Sequence, residues 1–148
     1  MGMFDSFDIN ATGLTAERYR MDIISENVAN ANTTRTKDGG PYVRKVVTFE
    51  QRGDQTPFSH VLNKARDHYT GKGVRVAAVG EDHVHEMNMV YDPSHPDADE
   101  NGYVTYPNVN IVTEMTNLID ASRAYEANAT AFGASKSIAM KGLELSKA

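Results

Sequence analysis

Apolar and small residues recur at alternating spacings of four and three over the last third of the chain, through Ile111, Met115, Leu118, Ser122, Tyr125, Ala129, Phe132, Lys136, Ala139 and Leu143. That spacing turns one side of a helix toward a lengthwise partner. A shorter stripe opens the chain at Phe4, Phe7, Ala11, Leu14, Met21 and Val28. Pro107 blocks an earlier start to the second helix, Asn108 or Asn110 can cap it, and Glu114 lies near its positive end. Gly13 is a flaw in the first helix, costing roughly 1 kcal/mol relative to alanine. The far end of that helix dissolves into Asn27-Val28-Ala29-Asn30-Ala31-Asn32-Thr33-Thr34, rich in residues that prefer caps and turns. Asn27, Asn30 and Asn32 are therefore expected to shape the exit from it.

Between the stripes the period changes to two. Tyr42 to Phe49 predicts a half-buried strand with Val43, Val47 and Phe49 on one face and Arg44 and Thr48 on the other; Lys45 breaks the apolar face and suits an edge. Gln51 to Lys72 reads as a surface loop. Val74, Val76 and Ala78 predict a second strand, Val84 to Tyr91 a third, and Tyr103 to Tyr106 a short return after the turn signals Asp92-Pro93, His95-Pro96 and Asn101-Gly102. The expected class is α+β: long N- and C-terminal helices pairing as an α-helical coiled-coil core domain, with a small β-rich middle domain. The divisions are 1–40 for the N-terminal helix and following loop, 41–106 for the middle domain and 107–148 for the C-terminal helix.

At about 1.5 Å per residue the C-terminal helix runs on the order of 50 Å, beyond the roughly 30 Å of a small domain, so it must find partners outside its own core. Heptad stripes commonly form the core of an intramolecular helical hairpin. Here Ser122, Lys136 and two alanines make the seam weakly apolar for a self-sufficient dimer, and Ala121, Ala124, Ala127, Ala131, Gly133 and Ala134 allow close approach from several directions. Packing within a multi-helix wall follows.

A net charge of −5 and a pI near 5.5, with no basic cluster longer than Arg44-Lys45, argue against a nucleic-acid surface. With no cysteine there is no disulfide framework, thiol nucleophile or cysteine-ligated zinc. Asp5, Asp8 and Asn10 interrupt the early apolar residues, and no basic segment precedes them, so a cleaved signal peptide is not expected; nor is membrane insertion.

The strongest enzymatic pattern is His83-x-His85-Glu86. On a strand it places two imidazoles on one face, with His95 or an aspartate of 92–100 as a third metal ligand. The same face continues through Met87, Met89 and Tyr91, which reads as ordinary burial. Asp92, Asp97, Asp99 and Glu100 lack calcium-loop spacing, and Gly71-x-Gly73 lacks the following helix that phosphate binding needs. No active site and no cofactor are expected.

Several longer runs are more specific. Ala11-Thr12-Gly13-Leu14-Thr15-Ala16-Glu17-Arg18 with Met21-Asp22-Ile23-Ile24-Ser25-Glu26-Asn27-Val28-Ala29-Asn30-Ala31-Asn32-Thr33 resembles the signature of the bacterial flagellar rod and hook proteins. Gly40-Pro41-Tyr42-Val43-Arg44-Lys45, the stretch from Tyr91 to Val104, Pro107-Asn108-Val109-Asn110, and Ala121-Ser122-Arg123-Ala124-Tyr125-Glu126-Ala127-Asn128 are similar to the short proximal-rod members. The resemblance implies a structural subunit of the basal-body rod in the periplasm, exported through the flagellar type III apparatus without a cleaved signal. Its partners would be copies of itself and other rod proteins. Leu14, Met21, Val28, Met115, Leu118, Tyr125 and Phe132 are expected to carry helix packing and assembly, and Asn27, Asn30, Asn32, Pro107 and Asn108 to be motif positions. The rival readings are another short rod protein, a metal-dependent enzyme built on His83 and His85, and a soluble coiled-coil adaptor.

Overall fold

The computed structural model describes residues 3–37, 39–53 and 71–145. The larger part of the expected Gln51–Lys72 loop lies outside these residues, as does the Phe4 side chain. Helix α1 is Met3–Ala29 and helix α2 is Ile111–Leu145. Between them lie β1 (Lys45–Gln51), β2 (Val74–Glu81), β3 (Asn88–Tyr91) and β4 (Tyr103–Tyr106). The arrangement is α+β, as the change of period predicts.

The helices run antiparallel. Asn27 reaches Glu114, Gly13 lies against Asn128, and the Phe7 ring meets Phe132 edge-on at 5.1 Å, so numbers rise on one helix as they fall on the other. The contact line differs from the expected seams by one residue. On α1 the buried residues are Gly13, Ala16, Ile24 and Asn27, and on α2 they are Glu114 and Ala121. Met115, Ala129, Lys136 and Leu143 of the expected α2 stripe are exposed, and Leu118, Ser122, Phe132 and Ala139 are half-buried. The shift has a plain cause: a glycine, an asparagine and a glutamate occupy contact positions that an apolar pattern passes over.

Gly13 is accordingly no flaw. It is buried, and a Cβ there would fall 2.9 Å from Asn128 Oδ1, so the missing side chain is what lets α2 approach. At the other end Asn110 caps α2, its Oδ1 accepting from Val112 N at 3.0 Å and Thr113 N at 3.2 Å. Asn30 closes α1 by donating to Glu26 O at 2.9 Å and accepting the Thr33 hydroxyl at 3.1 Å.

Strands β1 and β2 pair antiparallel from Lys45↔Glu81 to Gln51↔Val74, with Ala77 bulged between the Thr48↔Ala78 and Phe49↔Val76 pairs. The sheet docks on α1, where Val74 N donates to Thr12 Oγ1 at 3.1 Å. Gly73, at φ +88°, carries the chain over Thr12 where any Cβ would collide with the hydroxyl. Strands β3 and β4 form a second ladder, Asn88↔Tyr106 to Tyr91↔Tyr103.

The strand expected from Val84 begins only at Asn88. Asp82 Oδ1 accepts from the backbone N of Val84 (3.1 Å) and His85 (3.3 Å), which bends 82–85 into a turn and takes His83 and His85 off any shared strand face. Nor are Met89 and Tyr91 buried: both are exposed, and Tyr91 packs edge-on to Tyr103 at 5.2 Å. Val104, on the opposite face of the ladder, is fully buried. Ala16, Ile24 and Ala121 are buried along the hairpin, and Ala31, Tyr42 and Val109 form an apolar cluster where α1 ends and α2 begins.

Candidate functional site

Four polar side chains sit in that same region with almost no solvent contact: Asn27, Asp82, Asn108 and Glu114. Such burial is tolerable only if every polar atom finds a partner. The short link after α1 supplies the central one. Arg44 extends from Tyr42-Val43-Arg44 and donates from Nε (3.0 Å) and Nη2 (2.7 Å) to Glu114 Oε1, and from Nη1 to Asp82 Oδ2 at 3.0 Å. One guanidinium thus joins the start of α2 to the end of β2. Burial works against its charge, but the bonds to Glu114 and Asp82 prevail and raise its pKa.

Asn27 ties α1 into the same knot. Its amide donates to Lys45 O (2.9 Å) and Glu114 Oε2 (3.0 Å), while its Oδ1 accepts from Lys45 N and the Tyr42 hydroxyl, both at 2.9 Å. Asn108 does not cap α2. It accepts from Arg44 N at 2.9 Å and donates to Asp82 O at 2.6 Å and His85 O at 3.1 Å, stitching three segments together. Pro107, also buried, precedes it without a backbone donor to satisfy. Burial pushes the Asp82 carboxyl up, yet bonds from His85, Val84 N and Arg44 outweigh it and hold the pKa at about 2. Burial, followed by the charges of Glu26, Glu114 and Glu81, raises the Tyr42 hydroxyl to about 12.

The second feature is a surface. Leu14 and Val28 each follow a buried contact residue by one position, as do Met115 and Ser122 on α2. A step of one residue is a turn of about 100°, and in an antiparallel pair of right-handed helices such steps lead to the same side. Met21 shares the Leu14–Val28 column. On the opposite side β1 and β2 pack on α1, and Ile23 and Asn117 line a cleft with Val46, Val47 and Phe49. The side away from these strands gathers Leu14, Met21 and Val28, half-buried, with Met115, 55% exposed, and Ile119, 53% exposed. Phe132 meets Phe7 of α1, Leu118 is half-buried and Tyr125 is exposed. Asn32 is exposed beyond the end of α1.

Among the described residues no three histidine, cysteine, aspartate or glutamate side chains come together in a way that could hold a metal. His85 instead contacts Asp82 Oδ2 through Nδ1 at 2.8 Å, and His83 lies 3.4 Å from Glu81. No helix among the described residues is long and apolar enough to cross a membrane.

The chain is similar over nearly its whole length to known proteins. Residues 7–37 match the family described as flagella basal body rod protein, and residues 100–145 the C-terminal family of the flagellar basal body rod FlgEFG proteins. The chain is 45% identical to the flagellar basal-body rod protein FlgC of Borreliella burgdorferi, over 98% of each chain. It is 43% identical to FlgC of Bacillus subtilis (99% of this chain, 100% of that one) and 39% identical to FlgC of Salmonella typhimurium (98% of each). The chain belongs to the FlgC family of flagellar basal-body rod proteins. The two matched segments span Asn27 and Asn30 in one and Pro107, Asn108 and Glu114 in the other, the two ends of the buried junction.

Sequence reasoning placed Asn27 at the helix exit and missed its cross-links; it also missed the roles of Arg44, Asp82 and Glu114. One signal was available. A charged or amide residue in heptad phase within a helix needs a buried partner, and Arg44 follows directly on Tyr42-Val43 in the link between the helices.

Proposed function

We propose that this member of the FlgC family is a structural subunit of the proximal part of the rod, polymerising through its terminal helices. The observation that carries this reading is the two-helix face of Leu14, Met21, Val28, Met115 and Ile119, which the chain's own sheet leaves uncovered. A shaft needs heterologous contacts that do not close on themselves, and a long α2 with apolar residues on more than one side supplies them. The junction fixes how the β-rich part sits on the hairpin, so that 41–106 acts as a separate small domain between 1–40 and 107–148. In this reading the chain reaches the basal body in the periplasm by type III export without a cleaved leader, assembles with copies of itself and other rod proteins, and performs no catalysis.

The decisive change is Ile119→Asp, which places a carboxylate on the uncovered side without touching the α1 contact. The purified variant should keep its helix content, while cells carrying it should make the protein but build no rod and not swim. Normal swimming would remove that face from assembly.

A further inference from the structure

Asn101-Gly102 is the only Asn-Gly step in the chain, and the fold demands its glycine. Gly102 has φ +80°, and a Cβ there would fall 3.0 Å from Tyr91 Cε2 and 3.2 Å from Pro93 Cβ. That glycine exposes the residue before it to a reaction. With no side chain on Gly102 to obstruct it, the deprotonated Gly102 backbone nitrogen can attack Asn101 Cγ. The new C–N bond closes a cyclic succinimide, the side-chain nitrogen leaves as ammonia, and water then opens the ring to aspartate or isoaspartate. Asn101 is exposed, so water has free access.

The loop holds this chemistry off. Gly102 N donates to Asp99 O at 3.0 Å and Asp99 N to Tyr103 O at 2.8 Å, which closes a tight hairpin loop between Asp99 and Tyr103. Among the described residues positive φ is confined to glycine, so the turn from Asp99 to Gly102 is type I, with Asn101 third in it and at a ψ of about 0°. Ring closure needs Asn101 Cβ and Gly102 N on the same side of the Cα–C bond, which that ψ does not give. Asp99 Oδ1 fixes the loop from within, accepting from Asn101 N and Tyr103 N, both at 2.8 Å, and Asp92 N donates to Gly102 O at 2.9 Å. The nitrogen that would attack is thus engaged as a donor and turned away from the carboxamide.

We propose that Asn101 is a latent deamidation site closed by the β3–β4 hairpin: the folded chain retains the amide, and a chain left unfolded loses it. The product is not neutral for the fold. Isoaspartate adds a methylene to the main chain between Asp99 and Tyr103, so the bond from Gly102 to Asp99 and the Tyr91↔Tyr103 pairing no longer close together. A chain altered before folding is thereby kept from rebuilding the ladder, whereas one that folds promptly is protected.

The test ages the purified chain in mildly alkaline buffer, with its helix content checked by circular dichroism, beside the same chain in urea. Mass spectrometry of the peptide containing Asn101 reads the conversion of amide to acid, with the other asparagines, none followed by glycine, as internal references. Conversion in urea should outpace that in buffer at least about tenfold, because in buffer the loop must first open by local unfolding. Asp99→Ala, which removes the acceptor of two loop amides, should raise the rate in buffer toward the urea value while helix content stays unchanged. Gly102→Ala should slow the reaction in urea, where no fold exists to disturb, and so place the attack at that nitrogen. Equal rates in buffer and urea overturn the proposal. So does an Asn101 that survives in urea, a Gly102→Ala chain that reacts there as fast as the parent, or an Asp99→Ala chain that matches the parent in buffer.

Discussion

Asn27 Nδ2 stands 3.0 Å from Glu114 Oε2, joining the end of α1 to the start of α2 across 87 residues of sequence, with both side chains almost wholly out of solvent. The pair works because each member has further partners: Lys45 and Tyr42 for the amide, Arg44 and Asn117 for the carboxylate. Removing either one leaves buried polar atoms that water cannot reach.

Glu114→Ala should therefore cost about 3 kcal/mol, since Arg44 loses two of its charged hydrogen bonds while remaining largely enclosed. Asn27→Ala should cost about 2 kcal/mol through the stranded Lys45 backbone and Tyr42 hydroxyl. Urea unfolding of the purified chain measures both. Stabilities within about 0.5 kcal/mol of the parent would mean that the junction adds nothing.

At position 13 a double-mutant cycle separates propensity from packing. An exposed helical Gly→Ala change gains about 1 kcal/mol, but here the new methyl group meets the Asn128 amide, itself held by a 3.0 Å bond to Ala124 O. Gly13→Ala alone should yield no gain. In an Asn128→Ala background the same change should stabilise by about 1 kcal/mol. Equal effects in both backgrounds would contradict the close approach.

Acid and alkali should each release one part of the junction. Asp82 has its pKa depressed in the fold to about 2, so its contribution is present above the ordinary carboxylate value near 3.8 and is lost as pH falls from there through 2. The amount is roughly 2 kcal/mol, and Asp82→Asn should flatten stability over that window. Tyr42 is the opposite case. Raised to about 12, it contributes below pH 10, and the contribution disappears as pH climbs from 10 through 12; Tyr42→Phe should remove that alkaline step. Unfolding midpoints across both ranges provide the check.

The two histidines should behave differently. His83 is exposed and lies against the exposed Glu81, whereas His85 supports the buried Asp82. His83→Gln should leave stability and motility unchanged. His85→Gln should lower stability measurably and shrink the acid transition of Asp82. Stoichiometric zinc in protein purified without added metal, lost in a double variant, would instead restore the metal reading.

The periodicities alone determined a good deal: two long terminal helices, short strands between them, an alternating strand expected at Tyr42 to Phe49 and found at Lys45–Gln51, and a turn at Asn101-Gly102. These are local consequences of side-chain spacing, and α2 could scarcely begin before Pro107. The rotation of each helix about its axis was beyond the pattern. An apolar count treats Gly13, Asn27 and Glu114 as surface residues, but tertiary contacts bury them, one because it lacks a side chain and two because distant residues satisfy them. Asp82 likewise ended a strand that β propensity would have continued, because its carboxylate had backbone amides and Arg44 to accept from. Sequence spacing thus determined which segments are helices and strands; only the packed structure decided which side of each helix faces its own chain and which stays exposed, because that choice depends on hydrogen-bond partners dozens of residues away.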